Sequence, residues 1–152
     1  MRNPQMVDCI NHLIQSCKDR EFGLRRCAQH AQRDDLKHLL AGRADAFSRG
    51  AGELQTLVVQ QLRGSPGDRG TVHGALHRWW VIFKGAWAGY SDSALIEDCE
   101  RGEEAALEHY RSALERDLPP IWREPLQRQF ERIERSRAQL RELREREGMA
   151  HA

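Results

Sequence analysis

The seven residues Gly64-Ser65-Pro66-Gly67-Asp68-Arg69-Gly70 decide how this chain folds. Three glycines and one proline in seven positions are incompatible with the interior of a helix. On both sides of this stretch, apolar residues recur three and four positions apart, which is the spacing of amphipathic helices. The stretch therefore divides the chain into two helical halves.

Two long helices are predicted before this break. Pro4 suits a first helical turn, and the first helix runs to about Ala31. Asp34 and Asp35 provide a turn and an N-cap for the second helix, which runs to about Arg63.

Two more long helices are predicted after the break. Ser91 is the expected N-cap of the third helix. The sequence Leu118-Pro119-Pro120 forces an extended turn and places a proline at the start of the fourth. No strand pattern competes with the helical one. We therefore predict an all-α fold, a four-helix bundle that forms a single domain over residues 1–152.

The link between the second and third helices, residues 64–90, is far longer than the roughly 2 to 8 residues usual in bundles. It contains a predicted short helix from Val72 to about Trp87, which would span about 24 Å. Such a segment can cross the length of the bundle and make the second and third helices parallel. This is a ferritin-like bundle with a long crossover. The alternative is an up-down bundle with a fifth helix capping one end.

The predicted short helix carries a broad apolar stripe, formed by Leu76, Trp79, Trp80, Phe83 and Trp87. Packing onto the bundle as ordinary core is one interpretation. The other is an interface, because tryptophan clusters are enriched at the centres of interfaces. Residues 76–87 would then bind an unknown protein partner, or join two copies of the chain as a homodimer.

Charge and hydropathy exclude several partners. The chain has 24 basic and 23 acidic residues, a net charge of +1, so no overall field attracts nucleic acid. The longest apolar run, Trp79 to Phe83, is far shorter than the roughly 20 residues of a membrane span, and no secretory signal is predicted.

The four cysteines are expected to be reduced thiols in a cytoplasmic protein, because no Cys-x-x-Cys occurs. Cys99 is expected to stand alone. The pairs Cys9-x-x-His12 and Cys27-x-x-His30 lie 18 residues apart on one helix, about 27 Å, and cannot form one zinc site.

Each long helix interrupts its apolar pattern near mid-length. Glu21 lies four residues after Cys17 on the first helix, and Glu103 has the same relation to Cys99 on the third. The second and fourth helices carry Arg43 and Arg137, respectively, at their interruptions. Carboxylates from two helices at the centre of a bundle form half of a di-iron or di-manganese site.

The other half of such a site would be a Glu-x-x-His pair on each remaining helix. None of the seven histidines has a glutamate three residues before it, and the fourth helix has Glu134-x-x-Arg137 instead. Arginine cannot bind a metal, and its charge repels a dication.

We therefore predict a polar bundle centre in which arginines neutralise the carboxylates, without a catalytic residue, a metal or a cofactor. Its predicted members are Glu21, Glu103, Arg137, Arg43 and Glu134. Two alternatives remain: a water-filled polar interior, and an iron or manganese site formed by Glu21, Glu103 and Glu134.

Several segments resemble a known family. The segments are 13–23, 74–79 and 97–103, together with Tyr110 and Leu118-Pro119-Pro120. They are similar to a family of uncharacterised bacterial proteins, small ferritin-like four-helix bundles grouped as a domain of unknown function. The resemblance extends from about residue 5 to 145. It implies the crossover bundle and a bacterial cytoplasmic setting, and it implies no reaction.

The chain departs from the family pattern at two positions. The family often has glycine where Arg20 stands and histidine where Arg137 stands. Both changes add positive charge near the predicted carboxylates, which weakens a metal-binding role.

The sequence as a whole favours a non-catalytic binding or structural protein, with stress response as one setting. The alternative is a di-metal carboxylate protein with oxidase- or peroxidase-like activity.

Overall fold

The computed structural model describes residues 3–62 and 91–150, and within these ranges it contains four long α-helices and no strand. The helices are α1 (Asn3–His30), α2 (Asp34–Leu57), α3 (Asp92–Leu114) and α4 (Pro120–Ala150). A π-helical segment, Val58–Leu62, continues α2. The predicted all-α four-helix bundle is confirmed.

Most helix ends follow the signals in the sequence. The Ser91 hydroxyl accepts a hydrogen bond from the Ala94 N–H at 3.1 Å, which caps α3 as predicted, and α4 begins at Pro120. The start of α2 differs, because Arg33 precedes it without a side-chain cap. Asp34 and Asp35 lie inside the first turn, where their charges favour the positive end of the helix dipole.

The turn that precedes α2 is held by a residue from a distant part of the chain. The Asp92 carboxylate, at the start of α3, accepts hydrogen bonds from the backbone N–H groups of Gln32 at 2.8 Å and Arg33 at 3.0 Å. Both residues precede the first helical residue of α2, so this charge-assisted contact stabilises the turn between α1 and α2. It also fixes the start of α3 beside that turn.

The direction of each helix follows from the contacts between them. Because α3 begins beside the start of α2, and because Arg43 of α2 contacts Glu103 of α3, these two helices run parallel. Helix α4 runs opposite to both, as the contacts of Ser136 with Glu103 and of Arg141 with Glu100 show.

This parallel arrangement is the one predicted for a chain that crosses the length of the bundle between α2 and α3. An up-down bundle would place the two helices antiparallel, so that alternative is wrong. The predicted short helix of the crossover lies outside the described residues. So does the apolar stripe with its predicted interface, formed by Leu76, Trp79, Trp80, Phe83 and Trp87.

The core is formed by one apolar stripe from each helix. Its largest fully buried side chains are Trp122 and Tyr110. Near mid-length the stripes give way to polar side chains that are also buried: Arg20, Arg43, Glu103 and Gln129. The polar centre is therefore enclosed by apolar layers on both sides along the bundle axis.

The acidic face of α3 is neutralised by α4. Glu100 pairs with Arg141 at 3.1 Å and with Arg144 at 3.4 Å, and Glu104 pairs with Arg137. Among the helices of residues 3–62 and 91–150, none is long and apolar enough to cross a membrane.

Candidate functional site

Glu103 of α3 is the most deeply buried charged residue at the bundle centre, with none of its surface exposed. Its Oε1 atom accepts hydrogen bonds from Arg43 Nη1 of α2 at 3.4 Å and from Ser136 Oγ of α4 at 3.2 Å. Its Oε2 atom has no hydrogen-bond partner among the described residues. Three helices thus meet at one carboxylate.

Helix α1 contributes Arg20, which is only 6% exposed. Its guanidinium lies over Gly102, the residue that precedes Glu103, and a Cβ atom on Gly102 would clash with Arg20 Nη1. The absence of a side chain at position 102 therefore creates the space in which Arg20 approaches the centre. Its positive charge lowers the pKa of Glu103.

Substitution of Gly102 by alanine is expected to lower the free energy of unfolding, because the new methyl group displaces Arg20 from beside Glu103. We expect the free energy lost by displacing this buried guanidinium to exceed the roughly 1 kcal/mol that alanine gains over glycine in a helix interior. Gly42→Ala is the matched control, since a Cβ atom added there would meet nothing within 4 Å, and it should stabilise the protein by about 0.5–1 kcal/mol. Urea unfolding of both variants measures this difference. Equal stabilisation by both would contradict the role of Gly102.

Burial and the neighbouring charges shift the pKa values of Glu103 and Arg43 in opposite directions. Burial raises the pKa of Glu103 above its ordinary value, and the charges of Arg43 and then Arg20 oppose that rise. Burial also lowers the pKa of Arg43, while the Glu103 charge opposes that fall. Each ionised group therefore depends on the other to remain charged in the interior.

The raised pKa of Glu103 makes stability depend on pH. Between its ordinary value of 4.5 and the higher folded value, the native protein binds more protons than the unfolded chain. The free energy of unfolding contributed by this group therefore falls as the pH rises through that window. We expect the stability difference between the wild type and Glu103→Gln to fall with rising pH, by at most about 1.4 kcal/mol per pH unit. Urea titrations from about pH 4 to pH 8 test this, and a difference independent of pH would contradict it.

A second polar network lies beside the first. Tyr110 Oη donates to Gln129 Oε1 at 2.6 Å, and the Cys17 thiol contacts Tyr110 Oη at 3.1 Å. Because the tyrosine proton is directed at Gln129, the thiol is the donor to Tyr110. Gln129 Nε2 in turn donates to Glu53 Oε1 at 2.6 Å and to the Gly50 carbonyl at 3.3 Å.

The environment of the Cys17 thiol disfavours its thiolate form. Burial raises its pKa to about 11, against the smaller opposite effect of the Tyr110 hydrogen bond. The thiol is therefore protonated at neutral pH, whereas the reactive form of cysteine is the thiolate.

A small cavity of about 30 Å³ lies between the two networks. Its polar lining comes from both networks and from one additional arginine of α4, while its apolar lining comes mainly from α2. The lining residues are Cys17, Arg43, Ala46, Phe47, Gly50, Tyr110, Gln129, Arg132, Ile133 and Ser136. The cavity has room for one or two particles the size of water.

The structure brings together Glu103 and Arg43 of the predicted polar centre, but it does not bring Glu21 to them. The Glu21 carboxylate accepts from Arg25 Nη2 at 2.8 Å, one turn further along α1, and its side chain is 26% exposed. Arg20 enters the centre in its place. Both residues lie between Cys17 and Leu24 on the stripe, and the rotation of α1 turns Arg20 inward.

Two predicted residues of α4 also lie elsewhere. Arg137 pairs with Glu104 rather than bonding to Glu21 or Glu103, and its neighbour Ser136 makes the contact with Glu103. Glu134 is exposed. The three carboxylates of the alternative metal set, Glu21, Glu103 and Glu134, therefore do not converge in this structure. No group of three or more metal-binding side chains occurs in the described parts of the chain.

The cysteines differ from expectation in one respect. All four are buried and free, but Cys99 does not stand alone. It interacts with Cys27 across α1 and α3, and this neighbour, followed by burial, raises the pKa of Cys27. Cys9 and His12 line a surface pocket together with His109.

Sequence reasoning offered Arg20 as a possible partner of the central carboxylates, but it missed the roles of Ser136 and Gln129. Each was visible as a polar residue on or beside an inward stripe, which is the signal that could have identified it. What the sequence did not indicate is that Gln129 links Tyr110 to α2.

A comparison with protein families matches residues 5–116 to a domain of unknown function, DUF2383. The chain belongs to the DUF2383 family. No curated protein matches the sequence. The DUF2383 match contains Arg20, Arg43, Gly102 and Glu103, so the charged centre of α1 to α3 lies within the family region. Helix α4, with Ser136 and Gln129, lies beyond the match, which is shorter than the resemblance expected to about residue 145.

Proposed function

We propose that this DUF2383 member is a non-catalytic binding protein, built as a ferritin-like bundle of the bacterial cytoplasm. In this bundle the positive charge of arginine, rather than of a metal ion, neutralises the central carboxylate. One observation carries the proposal. The buried Glu103 carboxylate is neutralised by guanidinium groups from two helices, Arg43 and Arg20.

The donor set at the centre supports this function over a di-metal enzyme. A dinuclear site needs several carboxylate or imidazole ligands converging from the helices. Around Glu103 the neighbouring side chains are two guanidiniums and a hydroxyl, from Arg43, Arg20 and Ser136. A fixed positive charge at these positions repels a dication.

The chemistry of the other buried groups supports a non-catalytic role. A nucleophile requires activation by a neighbouring base or by a lowered pKa. Cys17 has neither, since its partner is the Tyr110 hydroxyl and its pKa is raised.

Metal analysis tests the proposal against its alternative. The full chain is purified without a metal-binding tag and without chelators, and its iron, manganese and zinc are measured by mass spectrometry. We expect less than about one tenth of an equivalent of each per chain, because guanidiniums are not metal ligands. More than about half an equivalent, lost in Glu103→Gln, would overturn the proposal and favour a metal carboxylate protein.

A further inference from the structure

We propose that the cavity between α2 and α4 is a binding site for a small monovalent anion, of the size of formate or chloride. The proposal rests on the proposed function, because it takes the bundle to be a binding protein, and it names the class of ligand. Its basis is the free guanidinium N–H groups of the cavity wall and the charges around it.

The hydroxyl and amide protons of the cavity wall are already used, so its free donors are guanidinium N–H groups. The Tyr110 proton is committed to Gln129, and the Gln129 carbonyl accepts it. The Ser136 hydroxyl donates to Glu103. Arg43, which is 7% exposed, retains an Nε–H without a partner among the described residues. Arg132 adds a second guanidinium to the lining. Because these free donors carry positive charge, they bind an anion more strongly than a neutral water molecule.

The charges around the cavity also favour an anion. The nearby acids are already paired, Glu103 with Arg43 and Glu53 with Arg128. No ion pair between described residues uses Arg132, and Arg20 adds a buried positive charge next to Glu103. The region thus holds more guanidinium than carboxylate, with Arg43 and Arg20 buried and Arg132 partly buried. Such uncompensated charge is costly unless a counter-ion neutralises it.

The size and the apolar wall restrict the ligand. A volume of about 30 Å³ holds an ion of one to three heavy atoms, which excludes phosphate esters and larger carboxylates. Ala46, Phe47 and Ile133 line the rest of the cavity and provide no polar group for a cation's hydration shell. Guanidinium binds carboxylate well because its planar N–H groups match the two oxygens.

Thermal unfolding measures this binding in the full chain. The melting temperature is followed by circular dichroism in sodium gluconate, with sodium formate or sodium chloride replacing gluconate at constant ionic strength. An anion that binds only the folded protein raises the melting temperature, and at ten times its dissociation constant the rise is about 3 to 6 °C. We expect a saturable rise with formate, with chloride, or with both. Gluconate is too large for the cavity.

Two variants separate this site from general salt effects. Arg132→Gln removes a guanidinium that lines the cavity, and Arg135→Gln removes an exposed one from the same helix with the same change in net charge. We expect the rise to disappear in Arg132→Gln and to persist in Arg135→Gln. Ala46→Leu, which fills the cavity while both arginines remain, should also abolish it.

The absence of a saturable rise in the wild type, or equal responses of Arg132→Gln and Arg135→Gln, would overturn the anion site. This failure is distinct from a failure of the proposed function, which is decided by the metal content of the purified protein. If the purified chain is metal-free and shows no anion response, the anion site is excluded and the proposed function is retained.

Discussion

Replacement of Arg43 by methionine is expected to lower the free energy of unfolding by about 3 kcal/mol, because it leaves Glu103 buried without its main counter-charge. Glu103 is fully buried, and Arg43 Nη1 is one of only two described hydrogen-bond donors to its carboxylate. Methionine keeps most of the aliphatic stem of arginine, so the loss reports on charge more than on packing. Urea unfolding at neutral pH, followed by circular dichroism, measures it.

Two further variants test whether the loss arises from the buried pair of Arg43 and Glu103. Arg128→Met removes an exposed arginine that pairs with Glu53 at 3.0 Å, and it should cost less than about 1 kcal/mol. The double variant Arg43→Met with Glu103→Leu should recover at least half of the loss, because it removes the stranded charge as well. If Arg43→Met costs no more than Arg128→Met, the buried pair is not what stabilises the centre.

Replacement of Gln129 by leucine is expected to cost about 2 kcal/mol, because it leaves the Tyr110 hydroxyl buried without its acceptor. Gln129 is 3% exposed and connects Tyr110 with the Gly50 carbonyl and Glu53. Leucine has a similar volume, so the loss arises from unpaired polar groups rather than from a cavity. Urea unfolding again provides the measurement.

The matched control is Gln127→Leu, two residues earlier on α4, where the side chain is exposed and bonds only to Glu131. It should change stability by less than about 0.5 kcal/mol. Adding Tyr110→Phe to Gln129→Leu should restore part of the loss, since removing both partners of a buried hydrogen bond is cheaper than removing one. A double variant no more stable than Gln129→Leu alone would show that the Tyr110 contact is not the source of the effect.

Much of the fold was predictable because its signals are local. A proline at a helix start, a serine cap and a glycine-rich break act within a few residues, and the apolar stripes repeat every turn. Ser91 and Pro120 therefore lie where the sequence placed them. The N-cap of α2 was mispredicted: Arg33 holds that position without a side-chain cap, and the turn before the helix is held by Asp92, about 60 residues later.

The candidate site was predictable only in part. The pattern indicated that the bundle has a charged centre, and Arg43 and Glu103 do meet there. It did not indicate the neighbours of that pair. Arg20 occupies a space that is open only because Gly102 has no side chain. Such a space exists only when two helices are packed together.

The sequence by itself determined which stripe of each helix faces inward. Tertiary structure alone decided which of two adjacent residues on that stripe reaches the centre: Arg20 rather than Glu21 on α1, and Ser136 rather than Arg137 on α4. The physical reason is helical geometry. Residues three and four positions after a buried one lie about 60° and 40° to either side of it, so both share the stripe. The choice between them depends on the rotation of each helix, which is set by the packing of all four together.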